Sequence, residues 1–381
     1  MTSSAALERG LAAYADHRWS DAFEALSEAD ADAELPADGL DRLATATLAL
    51  GRVEDGLALR VRAHEAFLAI DDAGGAARSA AWIGLFLLSR GEPAQSNGWL
   101  ARASRLVHER GGESAAGLVL IPVGLGAIYS GDPSSAVATF AEAFVLGGRH
   151  GDREAMVLAQ LGEGQARIML GETAAGLSLL DEAMVAVTAG EVSVMASGIV
   201  YCSVIGICHL AYDVRRAQEW TVALDRWCGA RPDMVMFSGQ CQGHRAQLYC
   251  LHGAWSDALA AARAAQALCR RGDWPAAWGA WYQQGEVQRL RGEFDDAEVS
   301  YRRAGETPWP PEPGLALLRL AQGRVREARS LIREAIAGAD AAADAATRRE
   351  LLPAVVEIEL AAREVLEARR AADELSAATA A

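Results

Sequence analysis

The sequence contains no lysine: all 36 of its basic residues are arginines. The phosphate-cradling lysine of a P-loop, a Schiff-base lysine and a pyridoxal-phosphate anchor are therefore excluded together. Proline is scarce, at 11 of 381 residues, and no apolar run approaches the roughly 20 residues that cross a bilayer. Met1, Thr2, Ser3 and Ser4 put no basic stretch ahead of an apolar core, so no signal peptide is expected. Paired Cys-x-x-Cys motifs are absent. The six cysteines (Cys202, Cys208, Cys228, Cys241, Cys250, Cys269) lie in the middle third and read as reduced, mostly buried thiols of a cytoplasmic protein.

Basic charge is also short. Against 51 acids the arginines leave a net charge of −15, which repels nucleic acid, so direct nucleic-acid binding by this chain is not expected. Enzyme signatures are missing as well, with no Gly-x-Ser-x-Gly elbow and no His-Glu-x-x-His. The nearest approach to a dinucleotide fingerprint, Gly124-Leu-Gly126, lacks its third glycine and reads as helix packing. The expectation is a non-enzymatic chain without a cofactor.

What is abundant is alanine, 81 residues, together with a hydrophobic share of 51% that can bury a large core. Gly51, Gly91, Gly131 and Gly171 stand 40 residues apart. Five residues after each comes a small one, and the series extends as Ala22, Gly56, Ser96, Ala136, Gly176, Ala217, Ala258, Ala297, Ala328 and Ala368. A second series, seven further on, is alanine at Ala29, Ala63, Ala103, Ala143, Ala183, Ala265, Ala304 and Ala335. A third runs seven residues upstream of each turn, as in Gly10, Ala44, Gly84, Gly124, Gly164, Ala246, Gly285 and Ala316. Small residues at these places let two antiparallel helices approach closely around a tight turn. Each unit is then a helical hairpin that buries its face only by stacking on its neighbours.

The pattern resembles the tetratricopeptide repeat, most clearly in Trp281, Gly285, Gly292, Phe294, Ala297, Tyr301 and Ala304 and again in Tyr249, Gly253, Trp255, Ala258 and Ala265. The resemblance implies an all-α solenoid of about ten hairpins over residues 5–376, wound as a right-handed superhelix. Loops are expected at 32–38, 109–112 and 231–233. The proline-rich stretch 307–314 precedes a shortened, 31-residue interval and divides residues 1–306 from 307–381 of the same solenoid. The tail from about Ala337 is alanine-rich and featureless, a continuing helix or a fraying end.

In tetratricopeptide geometry, the positions ten, six and three residues before each turn line the concave face. They read apolar early (Leu125, Ile128, Leu161) and polar later (Gln165, Cys202, His209, Gln247, Tyr282, Glu286). A concave apolar wall with a few convergent polar groups is the usual form of a ligand site. The same positions are plain core if the solenoid winds tightly enough to bury them, and the two readings stand side by side. Trp278, Trp281 and Tyr282 form an aromatic cluster that reads as packing. Cys202 with His209, and Cys241 with His244, have spacings compatible with zinc, but buried cysteines and hydrogen-bonded histidines are the commoner outcome, and no metal site is expected. The acidic run from Glu24 to Asp41 reads as a solvated loop and helix end.

Several stretches resemble one family more closely: Gly-Ile-Val-Tyr-Cys at 198–202, Arg-Ala-Gln-Glu-Trp-Thr at 216–221, Tyr-Gln-Gln-Gly-Glu at 282–286 and Arg-Leu-Arg-Gly-Glu-Phe at 289–294, with 180–192 and 313–325 around them. Together they are similar to the tetratricopeptide region of large LuxR-type transcriptional regulators, most specifically across residues 160–330. That resemblance implies a regulatory or sensory role. Such regulators carry a C-terminal helix-turn-helix, which is not read in this sequence; the chain is then either part of such a regulator or a stand-alone repeat protein, and direct DNA binding by this chain is not expected.

Three functions follow as expectations. The first is a sensor and scaffold that binds a small, largely apolar ligand or a partner segment in the groove, with Leu125, Ile128 and Leu161 giving apolar contact and the polar groove residues setting orientation. The second is a protein–protein adaptor without ligand, self-association as a homodimer included. The third is a divergent enzyme using His209 or His244 with Glu286 as acid–base groups.

Overall fold

The computed structural model describes residues 2–342 and 344–380, and among them it contains twenty α-helices, two short 3-10 turns and no strand. The helices pair in chain order into ten hairpins. The first five are α1 (Thr2–Ala15) with α2 (Trp19–Asp32), α3 (Ala37–Ala49) with α4 (Val53–Ala69), α5 (Ala73–Ser89) with α6 (Pro93–Glu109), α7 (Ala116–Tyr129) with α8 (Pro133–His150), and α9 (Arg153–Met169) with α10 (Thr173–Thr188). Then come α11 (Val194–Leu210) with α12 (Val214–Gly229), α13 (Ser238–Leu251) with α14 (Trp255–Cys269), and α15 (Ala277–Leu290) with α16 (Phe294–Ala304). The last two are α17 (Gly314–Ala321) with α18 (Val325–Ala341) and α19 (Ala345–Ala361) with α20 (Val365–Ala380). The shortened repeat after the prolines shows as α17, only eight residues long.

Each hairpin turn uses one residue in the left-handed region. Seven are glycines, from Gly51 to Gly323, and three are His17, Tyr212 and Arg363 with φ of 57°, 57° and 64°. Between the helices of a hairpin the small upstream position receives a large side chain. A Cβ on Gly124 would lie 2.6 Å from the Phe140 ring, and one on Gly285 would lie 2.9 Å from Tyr301. The partner-helix alanines Ala22, Ala136, Ala217, Ala258, Ala297 and Ala328 are fully buried, as are Phe140, Leu180 and Tyr301. Each such large side chain contributes about 1.5–3 kcal/mol by leaving water.

Of the two readings of the tail after Ala337, the helical one holds: α19 and α20 form a hairpin, and Leu351, Ala354 and Ile358 pack with Ala328 and Ile332 in a core of their own. One reading is corrected. The acidic run is not merely solvated. Asp30 takes a two-pronged bond from Arg62 at 2.8 and 2.9 Å, Asp41 pairs with Arg60 at 2.9 Å, and Glu28 pairs with Arg9 at 2.7 Å. Arg9 and Arg60 reach their acids across their own hairpins, and Arg62 of α4 reaches Asp30 of α2 because stacking brings one hairpin against the next.

The solenoid winds tightly enough for distant hairpins to touch. The backbone N–H groups of Val235 and Met236 donate to the Ala49 carbonyl at 2.8 and 3.1 Å. Further along, Gly131 lies against Ala342, and the Tyr129 and Trp309 rings meet edge to face at 6.4 Å. The last hairpin turns inward, and α19 packs on α9 and α11.

Candidate functional site

The inner wall of the middle repeats is built by α9, α11 and α13, with α19 laid across the first two. Its early rows are apolar and closed: Ile128 and Leu161 are buried, and Leu125 is half-buried against the same core. Cys202 is buried too. Burial drives its thiol well above the ordinary range, and the nearby Asp273 and Cys241 add to this. The Cys241 thiol donates to Asp225 Oδ1 at 3.9 Å, and the neighbouring Cys228 together with burial pushes it far above the ordinary range. Among the described residues no three His, Cys, Asp or Glu side chains are disposed to hold a metal ion.

Polar groups gather where the apolar rows end. Gln165 on α9, His209 on α11 and Gln247 on α13 are half-buried. Burial brings the His209 imidazole down to about 4, and that of its neighbour His244 to about 3 with help from His209. Both rings are therefore neutral at pH 7. His209 Nε2 is buried with no hydrogen-bond partner.

Tyr282 and Glu286 belong to a different locality. The Tyr282 ring stacks on Trp278 at 4.6 Å, and its hydroxyl accepts from the Gly314 N–H at 3.2 Å. Trp278 Nε1 donates to the Pro310 carbonyl at 3.0 Å. Glu286 accepts from the Tyr301 hydroxyl and from Arg289, the latter at 2.8 Å. These aromatic and charged groups fasten the proline-rich stretch to α15.

Three residues that the repeat pattern does not single out complete the inner wall. Tyr212 sits at the turn where seven of the ten hairpins have glycine, and its hydroxyl donates to the Arg349 carbonyl of α19 at 3.2 Å. Arg349 is only 8% exposed, and its Nε is buried without a partner. Glu350 beside it is raised to about 7 by burial, with Asp344 adding to the shift. The two do not neutralise each other because successive helical residues point about 100° apart. Tyr212 was visible as a departure from the glycine series. Arg349 and Glu350 carried no signal, because nothing local marks the inward turn of the last hairpin.

Beside Tyr212 lies a cleft of about 660 Å³, lined by Pro353 and Val356 of α19 and by Ala372, Leu375 and Ser376 of α20. No described helix is long and apolar enough to cross a membrane.

No protein-family model matches the sequence, and no curated protein matches it. Among solved structures, a Rap protein complexed with competence and sporulation factor superposes with a TM-score of 0.57, over 99% of this chain and 97% of that one, at 11% identity. Yeast Tom70 gives 0.33 over 95% and 96% at 12% identity, and the P58(IPK) TPR domain gives 0.25 over 88% and 99% at 14% identity. The fold is a tetratricopeptide-like all-helical solenoid running the length of the chain.

Proposed function

We propose that the chain is a non-enzymatic regulatory scaffold whose concave interior receives a partner segment, with binding read out as a change in how the last hairpin is held. One observation carries the reading: the inner wall formed by α9, α11 and α19 buries polar atoms, His209 Nε2 and Arg349 Nε, that no protein group satisfies. A buried donor left unpaired costs about 1–3 kcal/mol, and an occupant that supplies the partner recovers it. The Rap structure, similar over the whole chain, is itself a complex with a factor, which supports a bound partner as the working state.

In this reading Leu125, Ile128, Leu161 and Cys202 shape the apolar wall. Gln165, His209 and Gln247 orient the occupant, and Tyr282 and Glu286 hold the far rim. The similarity of residues 160–330 to LuxR-type repeat regions supports a role upstream of transcription, with nucleic acid contacted elsewhere, as the net charge of −15 favours. The proline-rich stretch at 307–314 separates a long array, 1–306, from the two C-terminal hairpins that respond. Six free thiols fit the reducing cytoplasm. A small apolar ligand is the second reading, favoured by the 660 Å³ cleft beside Tyr212, a volume in the range of small-molecule pockets.

Native mass spectrometry of protein from its own host, before and after organic extraction, tests both. A co-purifying mass that disappears in a Gln165→Ala, Gln247→Ala double variant supports groove binding, and its size separates segment from small ligand. Binding unchanged in the double variant, or a clean apo mass throughout, sinks the groove assignment in favour of a ligand-free adaptor.

A further inference from the structure

The partner chemistry can be narrowed from the charges that the interior leaves unmatched, and the narrowing rests on the groove reading above. Arg60, Arg289 and Arg319 are also deeply set, and each holds a carboxylate: Asp41 at 2.9 Å, Glu286 at 2.8 Å and Glu298 at 2.8 Å. Arg349 is buried to a comparable degree, at 8% exposed, but among the described residues no carboxylate pairs with it; its Nε is unpartnered, as are those of Arg60 and Arg289, so the missing carboxylate is what sets it apart. It lies on α19, which packs on α9 and α11, one turn after Ala346, which is buried in the main core. Glu350, its neighbour in sequence, makes no ion pair with it, because successive helical side chains point about 100° apart.

Tyr212 directs its hydroxyl to the Arg349 carbonyl rather than to the side chain. A largely buried cation without a carboxylate of its own attracts an anion with planar oxygens that can take a two-pronged bond. The chain's overall negative charge does not prevent this, because its field is screened beyond about 8 Å at physiological salt.

We propose that Arg349 is the anchor of a binding site for a carboxylate carried by the partner segment, set between α19 and the wall formed by α9 and α11. The occupant's carboxylate completes the ion pair that the protein leaves open.

The test is thermal unfolding of the full chain with glutarate, with its uncharged isostere glutaramide, and with sodium chloride matched for ionic strength. Glutarate is expected to raise the midpoint by about 2 °C and glutaramide to leave it unchanged. Arg349→Met, which keeps the aliphatic stem, should abolish the glutarate response and should melt at or above the wild-type temperature when empty, because it removes an unpaired buried charge. Arg349→Lys should keep part of the response, which guards the test against a misfolded methionine variant.

An equal response to glutarate and glutaramide, no response in the wild type, or a full response in Arg349→Met overturns the proposal. A groove-dependent co-purifying partner together with any of those results removes the carboxylate chemistry and leaves the groove reading standing. A short capped peptide with one glutamate, compared with its glutamine twin, separates the sources. Response to the glutamate peptide at lower concentration than to glutarate supports a segment, and response to glutarate alone overturns the segment in favour of a free small carboxylate.

Discussion

Two of the contacts between distant hairpins are built differently. At the first, the first two hairpins rest on the segment before α13. Two backbone donors reach the Ala49 carbonyl, and the Asp233 carboxylate accepts from the Ser20 N–H at the start of α2 at 2.7 Å. Met234, Val235, Met236 and Phe237 are all buried there. The backbones of Gly51 and Gly272 touch so closely that a Cβ on Gly272 would lie 1.8 Å from the Gly51 oxygen. At the second, α19 meets α11 through the Tyr212 hydrogen bond, with Arg349 unpaired, Glu350 raised to about 7 and a cleft open alongside.

The first contact is closed by backbone hydrogen bonds, by Asp233 and by four buried apolar side chains, with Trp19 Nε1 and Arg231 Nε beside it unpartnered. The second has one side-chain hydrogen bond, a buried arginine without a carboxylate and an open cleft. Regions with few buried apolar contacts open at the lower free energy, so the first contact is expected to hold longer than the second. A binding event that pairs the open charge acts on the second.

The sharpest way to break the contrast is Gly272→Ala. The methyl group meets a backbone oxygen, and Gly272 has φ of 119°, so the first contact must open. A loss of about 3 kcal/mol or more in urea unfolding is expected. Survival without loss would show that the two contacts are equally soft.

A smaller effect is expected at Glu350→Gln, and its sign depends on pH. The folded-state pKa of Glu350 is raised from 4.5 to about 7, so its contribution is fully present below about 4.5 and is lost as pH rises through 7. The glutamine variant should match the wild type below about pH 4 and exceed it by about 2–3 kcal/mol near pH 8. His209 and His244 act in the opposite window: their folded pKa values lie below 6.5, so they favour the fold above that and weaken it as pH falls toward 4 and 3. Equal pH profiles for the two proteins would mean that Glu350 is compensated in the fold.

The smallest change in stability belongs to Tyr212→Gly. Glycine relieves a tyrosine held at φ of 57° but removes the bond to Arg349, and the two effects of about 1 kcal/mol oppose each other. Amide exchange should accelerate in α19 and α20 and stay unchanged at 231–237. Uniform acceleration would place Tyr212 in the global core instead.

Much of this molecule was legible before any coordinates. The 40-residue spacing gave the hairpins, and the small residue seven before each turn marked where Phe140 or Tyr301 would be received. The series at 22, 56, 96 and 136 marked the buried line of the partner helix. The candidate site was legible in part. Gln165, His209 and Gln247 are half-buried on α9, α11 and α13, as their register implies, whereas Tyr282 is engaged with the proline-rich stretch and Glu286 with Tyr301 and Arg289. Arg349 and Glu350, in a stretch that reads as undistinguished helix, were invisible.

The repeating unit follows from local residue choice, because helix register, turn handedness and hairpin packing depend on residues within about one repeat of each other. What the two ends of the array do follows from the assembled solenoid. The small rotation between successive hairpins adds up along the solenoid, and the sum sets whether Tyr212 finds an oxygen 137 positions away. The same accumulated turn carries Arg349 out of solvent and leaves it without a counter-charge.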